Sequence, residues 1–109
     1  MIAFLGLSHL SISYAASALY YGKKVLILDT KSEINYYKNK KIKIFEPNLQ
    51  KILNKFSHNL IISSNFIDAK KSEIIFLAKD VKTDKNNNVL LTETKNLLKK
   101  IKPYKKKIL

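Results

Sequence analysis

The chain has 109 residues, no cysteine, a formal net charge of +13 and a pI near 9.9. That length suits one domain burying roughly 60–70% of its unfolded surface, and the absent thiol excludes disulfides, cysteine nucleophiles and cysteine metal sites within it. All 21 basic residues are lysines; sites that read phosphates or guanine edges favour the bidentate fork of arginine, so the charge argues for solvated lysine faces and against a specific nucleic-acid partner.

In chain order, residues 2–5 form a short apolar run predicted as a strand that ends at Gly6. A helix over residues 10–21 follows, with Ile12, Ala15, Ala16 and Leu19 on one face and Gly22 as the residue that ends it. Residues 24–28 make a second strand and lead into Asp29. Helices are predicted over 32–38 and 47–56, the second opened by Pro47, whose fixed φ suits a first helical turn. A third strand covers 60–63, Asn65 caps a short helical turn through Asp68 and Ala69, and a fourth strand covers 74–78. Residues 79–88, rich in Asn, Asp and Lys, read as a solvated loop. The last helix spans 92–101, before Pro103, and Lys107, Ile108 and Leu109 read as the start of a fifth strand. The strands are apolar on consecutive positions, as in parallel sheets covered on both faces. Together these elements predict one α/β, Rossmann-like domain over residues 1–109: a parallel sheet of order 3-2-1-4 with helices on both faces.

Strand, glycine turn, helix, strand and acid make the outline of a dinucleotide-binding unit, with Asp29 at about the 20-residue spacing from the glycine that such units show. The turn itself, Gly6-Leu7-Ser8-His9-Leu10-Ser11, departs from G-x-G-x-x-G. Gly6 keeps the sharp exit from the strand. Ser8 stands where a missing side chain lets the backbone approach a pyrophosphate, so its hydroxymethyl group either crowds the phosphate or donates to it. Ser11 is a small replacement for the glycine that lets helix and strand pack closely. His9 either adds a bond to the phosphates or stands exposed. Asp29 suits a bidentate contact to the ribose hydroxyls of NAD and repels the 2′-phosphate of NADP. A purely structural turn ending on a strand-capping aspartate remains the alternative.

Phe45-Glu46-Pro47-Asn48-Leu49, taken with the Gly6 turn, Asp29 and the run from Ser72 to Ala78, resembles the N-terminal NAD-binding domain of the UDP-glucose/GDP-mannose dehydrogenase family. The resemblance is collinear from Ile2 to about Pro103. It implies NAD as cofactor, with Gly6, Leu7, Ser8, His9, Leu10 and Ser11 at the pyrophosphate, Asp29 at the adenine ribose, and Ala78 with its following loop at the nicotinamide side. Val81 and Lys82 fall where the family carries a threonine–proline pair, so Thr83 is the nearest replacement hydroxyl, and Lys31 is the candidate for the basic residue that follows the ribose-binding acid. Enzymes of the family oxidise the C6 alcohol of a nucleotide sugar to the acid in two hydride transfers, through a thiohemiacetal on a cysteine. With no cysteine and no room for a substrate domain, these residues are expected to be a truncated, by itself inactive, NAD-binding portion of a UDP-glucose 6-dehydrogenase-like enzyme. The alternative is a non-catalytic Rossmann-like remnant or interaction module.

Other chemistries find little support. His9 and His58 are the only histidines, too few for a metal cluster. The alanine-rich helix is too short and hydroxylated to span a membrane, and no basic start or cleavage site marks a secretion signal, so the expected compartment is the cytoplasm. The fourth strand, with little beyond it to pair, is expected to promote self-association through its open edge.

Overall fold

The computed structural model describes residues 1–40, 47–79, 82–83, 85–86 and 89–104. Strands β1 (Ile2–Leu5), β2 (Val25–Leu28), β3 (Leu60–Ser63) and β4 (Ile74–Leu77) form an all-parallel sheet in the order β3-β2-β1-β4. In register, Ile2 lies opposite Val25 on one side and Ile74 on the other, while Leu5 lies opposite Leu28 and Leu77. Three strands therefore end level with one another at one edge of the sheet, where the Gly6 turn, Asp29 and Ala78 emerge.

Alternation along the strands sorts the core into two layers. Phe4, Val25 and Ile27 face helix α1 (His9–Tyr20) and helix α3 (Pro47–Lys55), meeting Ile12, Ala15, Ala16, Leu19 and Leu49. Ala3, Leu5, Leu26, Leu28 and Ile75 face the opposite layer, where Ala69 and helix α4 (Thr92–Ile101), through Leu97 and Ile101, close the core. Both faces of β1 and β2 are thus dry, which is why their sequences are apolar at consecutive positions rather than alternate ones.

Helix boundaries follow local chemistry. α1 ends on Gly22, at φ +82°, with Gly22 N–H donating to the Leu19 carbonyl and Lys23 N–H to that of Ala18, the paired closure that a left-handed C-terminal glycine permits. α3 opens at Pro47, as expected, whereas Phe45 and Glu46 lie outside the described residues. Helix α2 (Lys31–Lys40) starts one residue earlier and runs two residues further than expected. The 3-10 turn Phe66–Lys71 is capped by the Asn65 side chain, which accepts from Ile67 N–H at 3.3 Å.

Three expectations need correction. β3 is not covered on both faces: Ile61 and Ile62 are 41% and 39% exposed, because β3 is the outer strand of the four-stranded sheet and pairs with β2 on one side. The stretch 79–88 is not wholly loop, since β5 (Lys82–Thr83) pairs antiparallel with β6 (Val89–Leu90) as a small ribbon. Nor is that stretch solvated at its start, because the Lys79 side chain is only 4% exposed. The expected fifth strand at 107–109 lies outside the described residues.

Candidate dinucleotide site

Gly6 takes φ +111°, a conformation that residues with a Cβ rarely adopt, and its N–H donates to the Leu28 carbonyl at 2.7 Å. Space is the second constraint on it: a Cβ there would sit 2.7 Å from the Lys79 Cα. The glycine is needed because the exit of β4 passes directly over the turn.

Ser8 is the N-cap of α1 and is fully buried, as is Ser11. Its hydroxyl accepts from Ser11 N–H at 3.1 Å and donates to the Ala78 carbonyl, while Ser8 N–H donates to Ser11 Oγ at 2.8 Å. Ser11 Oγ in turn donates to the Ser8 carbonyl at 3.0 Å. This reciprocal box replaces the second and third fingerprint glycines by hydroxyls turned into the protein. Neither orientation foreseen for Ser8, crowding a phosphate or bonding it, matches a side chain that points inward.

An α-helix leaves its first N–H groups without intrahelical partners. Here Ser8 and Ser11 satisfy each other, and the first helical bond runs from Ile12 N–H to the Ser8 carbonyl at 3.0 Å. His9 and Leu10 remain: among the described residues no acceptor is bonded to their N–H groups, and both residues are exposed. Two adjacent donors at the positive end of a twelve-residue helix suit an anion. Leu7, by contrast, is buried, and its N–H is already used.

That N–H donates to Asp29 Oδ2 at 2.7 Å, and Thr30 N–H donates to Asp29 Oδ1 at the same distance. Asp29 is only 1% exposed. The Lys79 ammonium lies 3.0 Å from Oδ2, 3.2 Å from Glu33 Oε2 and 3.7 Å from Glu93 Oε2. Burial by itself lowers the pKa of Lys79, but hydrogen bonds and charge from Asp29 and Glu33 outweigh it and hold the pKa above the ordinary value. Glu33 and Glu93 lie in the first turns of α2 and α4, where the helix dipoles favour negative charge. Asp29, Thr30, Glu33, Lys79, Glu93 and Asn96 line a cleft of about 390 Å³.

Of the other residues picked out from sequence, Ala78 is buried beside the turn and its N–H donates to the Leu5 carbonyl at 2.9 Å. Lys31 is exposed at the start of α2, and among the described residues the cation that reaches Asp29 is Lys79. Thr83 lies opposite Val89 in the separate β5–β6 ribbon, and Val81 is outside the described residues. Sequence reading missed Lys79 altogether. It sits one position past the buried Ala78, on the level of the Gly6 turn, and that placement was the available signal.

The sheet order and crossovers define a Rossmann-type domain. The sequence profile of the UDP-glucose/GDP-mannose dehydrogenase family, NAD binding domain, matches residues 1–108, and the chain belongs to that family. No curated protein matches it closely enough to count as a relative. Solved structures share its fold. GDP-mannose dehydrogenase from Pseudomonas aeruginosa superposes with a TM-score of 0.76 at 21% identity, over 92% of this chain and 24% of that one. UDP-D-ManNAc dehydrogenase from Pyrococcus horikoshii gives 0.77 at 20% identity, over 95% and 25%. UDP-glucose dehydrogenase from Pyrobaculum islandicum gives 0.72 at 17% identity, over 92% and 24%. The chain thus spans about a quarter of the length of these structures.

Proposed function

We propose that this chain binds NAD at the level edge of its sheet, as the cofactor-binding portion of an enzyme that oxidises the C6 alcohol of a UDP-hexose. The carrying observation is the pair of N–H groups on His9 and Leu10 at the start of α1, which no acceptor among the described residues takes up, in the turn whose Leu7 N–H holds the Asp29 carboxylate. A pyrophosphate needs such donors, and an adenine ribose needs an acid at the end of the second strand. NAD, when bound, would supply hydride acceptance; these residues supply only its anchoring. The thiol and the sugar pocket must come from outside these 109 residues, so the chain alone binds without turnover.

One observation favours the rival reading of a non-catalytic module: Ser8, Ser11 and Lys79 already satisfy much of the turn and of Asp29. Substitution at the first helical position separates the two readings. Proline fits that position and removes its N–H, and Ser8 before it is already extended at φ −147°, ψ 169°. Calorimetric titration with NAD should therefore show His9→Pro weakened about tenfold, the worth of one hydrogen bond to a charged group, with His9→Ala near the parent. Equal affinity of the two variants, or no binding by the parent chain, removes the assignment.

A further inference from the structure

Two oxygens of an ionised carboxylate offer about four acceptor positions. Among the described residues, three are filled at Asp29, by Leu7 N–H, Thr30 N–H and the Lys79 ammonium. A ribose diol gripped through both hydroxyls needs two, so one resident donor has to leave. The two N–H groups are fixed by backbone, one in the Gly6 turn and the other on the residue that follows Asp29. Lys79 is held through a flexible stem and has other acceptors within reach, Glu33 Oε2 at 3.2 Å and Glu93 Oε2 at 3.7 Å. Its ammonium can shift onto them without becoming a buried, unpaired charge.

We propose that Lys79 is a built-in competitor for the ribose at Asp29, so that nucleotide binding proceeds by exchange: the ribose hydroxyls take the carboxylate and the ammonium retreats to Glu33 and Glu93. Lys79 is then a specificity-determining residue of the site, and Glu33 is a positioning residue that makes the exchange affordable. A ribose with one hydroxyl can use the single open acceptor position and need not displace the ammonium. In the parent chain the exchange therefore blunts the preference for an intact ribose. Lys79 stays cationic throughout the neutral range, because its pKa lies above the ordinary lysine value, so the competition persists there.

This inference rests on the dinucleotide reading, and ADP compared with 2′-deoxy-ADP tests it separately. Calorimetry on the parent chain should give similar affinities for the two nucleotides. In Lys79→Met, which keeps an apolar stem, ADP should bind about tenfold tighter while 2′-deoxy-ADP is nearly unchanged. Glu33→Gln, which keeps Lys79 but weakens its refuge, should bind ADP about threefold more weakly with 2′-deoxy-ADP again unmoved. Should Lys79→Met fail to fold, Glu33→Gln carries the test by itself. A purely structural lysine would shift both nucleotides together. That result, weaker ADP binding by Lys79→Met, or unchanged ADP binding by Glu33→Gln, overturns the exchange while leaving the dinucleotide site intact. If neither nucleotide binds any of the three proteins, the dinucleotide reading falls and takes this one with it.

Discussion

Gly6 and Ser8 show how the same turn can be legible at one position and misleading two residues later. A glycine after a buried strand announces a sharp turn, and the φ of +111° and the closeness of Lys79 supply the reason. Gly6→Ala should destabilise the chain by at least about 2 kcal/mol, since it combines a disfavoured backbone with a clash against main chain; urea unfolding reads it directly. Ser8 could not be oriented from sequence, because its direction depends on the Ala78 carbonyl, seventy residues away. Lys79 was hidden for the same reason. Its three acids come from two distant stretches, Asp29 with Glu33 and then Glu93, and a lysine in a run rich in Asn and Asp looks solvated until the fold brings them around it. Its raised pKa also predicts a pH effect. The folded state holds the proton more tightly than the unfolded one, so the stabilisation is fully present below the ordinary value of 10.5 and is lost as pH climbs through the raised value. Melting temperature measured from pH 9 to 12 (about the range that brackets an ordinary lysine) should fall less steeply at the top of that range for Lys79→Met than for the parent.

At the scale of elements, the strand and helix order was readable because each boundary carries its own local cause. Gly22 closes α1, Pro47 opens α3, and consecutive apolar residues mark strands buried on two sides. The β5–β6 ribbon was not readable, since two-residue strands have no periodicity to detect. The exposure of β3 departs from the pattern: the expected order 3-2-1-4 already puts it outermost, and consecutive apolar residues do not by themselves distinguish a covered strand from an outer one. On the other side of the sheet, β4 pairs only with β1 among the described residues, and a cleft of about 430 Å³ lined by Phe4, Leu10, Tyr14, Phe76 and Leu77 runs beside it. An open edge beside exposed apolar side chains is a template for another strand. We therefore expect the 109-residue chain to associate as its concentration rises, and Leu77→Lys, at a position 37% exposed, to reduce that association. Light scattering across a concentration series checks this; a parent chain that stays monomeric throughout would mean the edge is protected.

For the whole molecule, the family assignment rests on 108 of the 109 residues, whereas the site rests on a handful. The net charge of +13 draws anions towards the protein, while at the cleft, among the described residues, Asp29, Glu33 and Glu93 gather around the Lys79 ammonium. In the proposed binding mode a dinucleotide would therefore be attracted at long range, and an extra phosphate on its adenine ribose would be repelled at close range. Binding of NAD at this end of the sheet, through the start of α1 and Asp29, is open to a single comparison, NAD against NADP in thermal unfolding. At a concentration 100 times its Kd a ligand adds about 2.7 kcal/mol of stability, which for a domain of this size corresponds to a rise of roughly 10 °C or more. Saturating NAD should produce that rise, and the same concentration of NADP little or none. Equal stabilisation by both, or none by either at millimolar concentration, would contradict that binding.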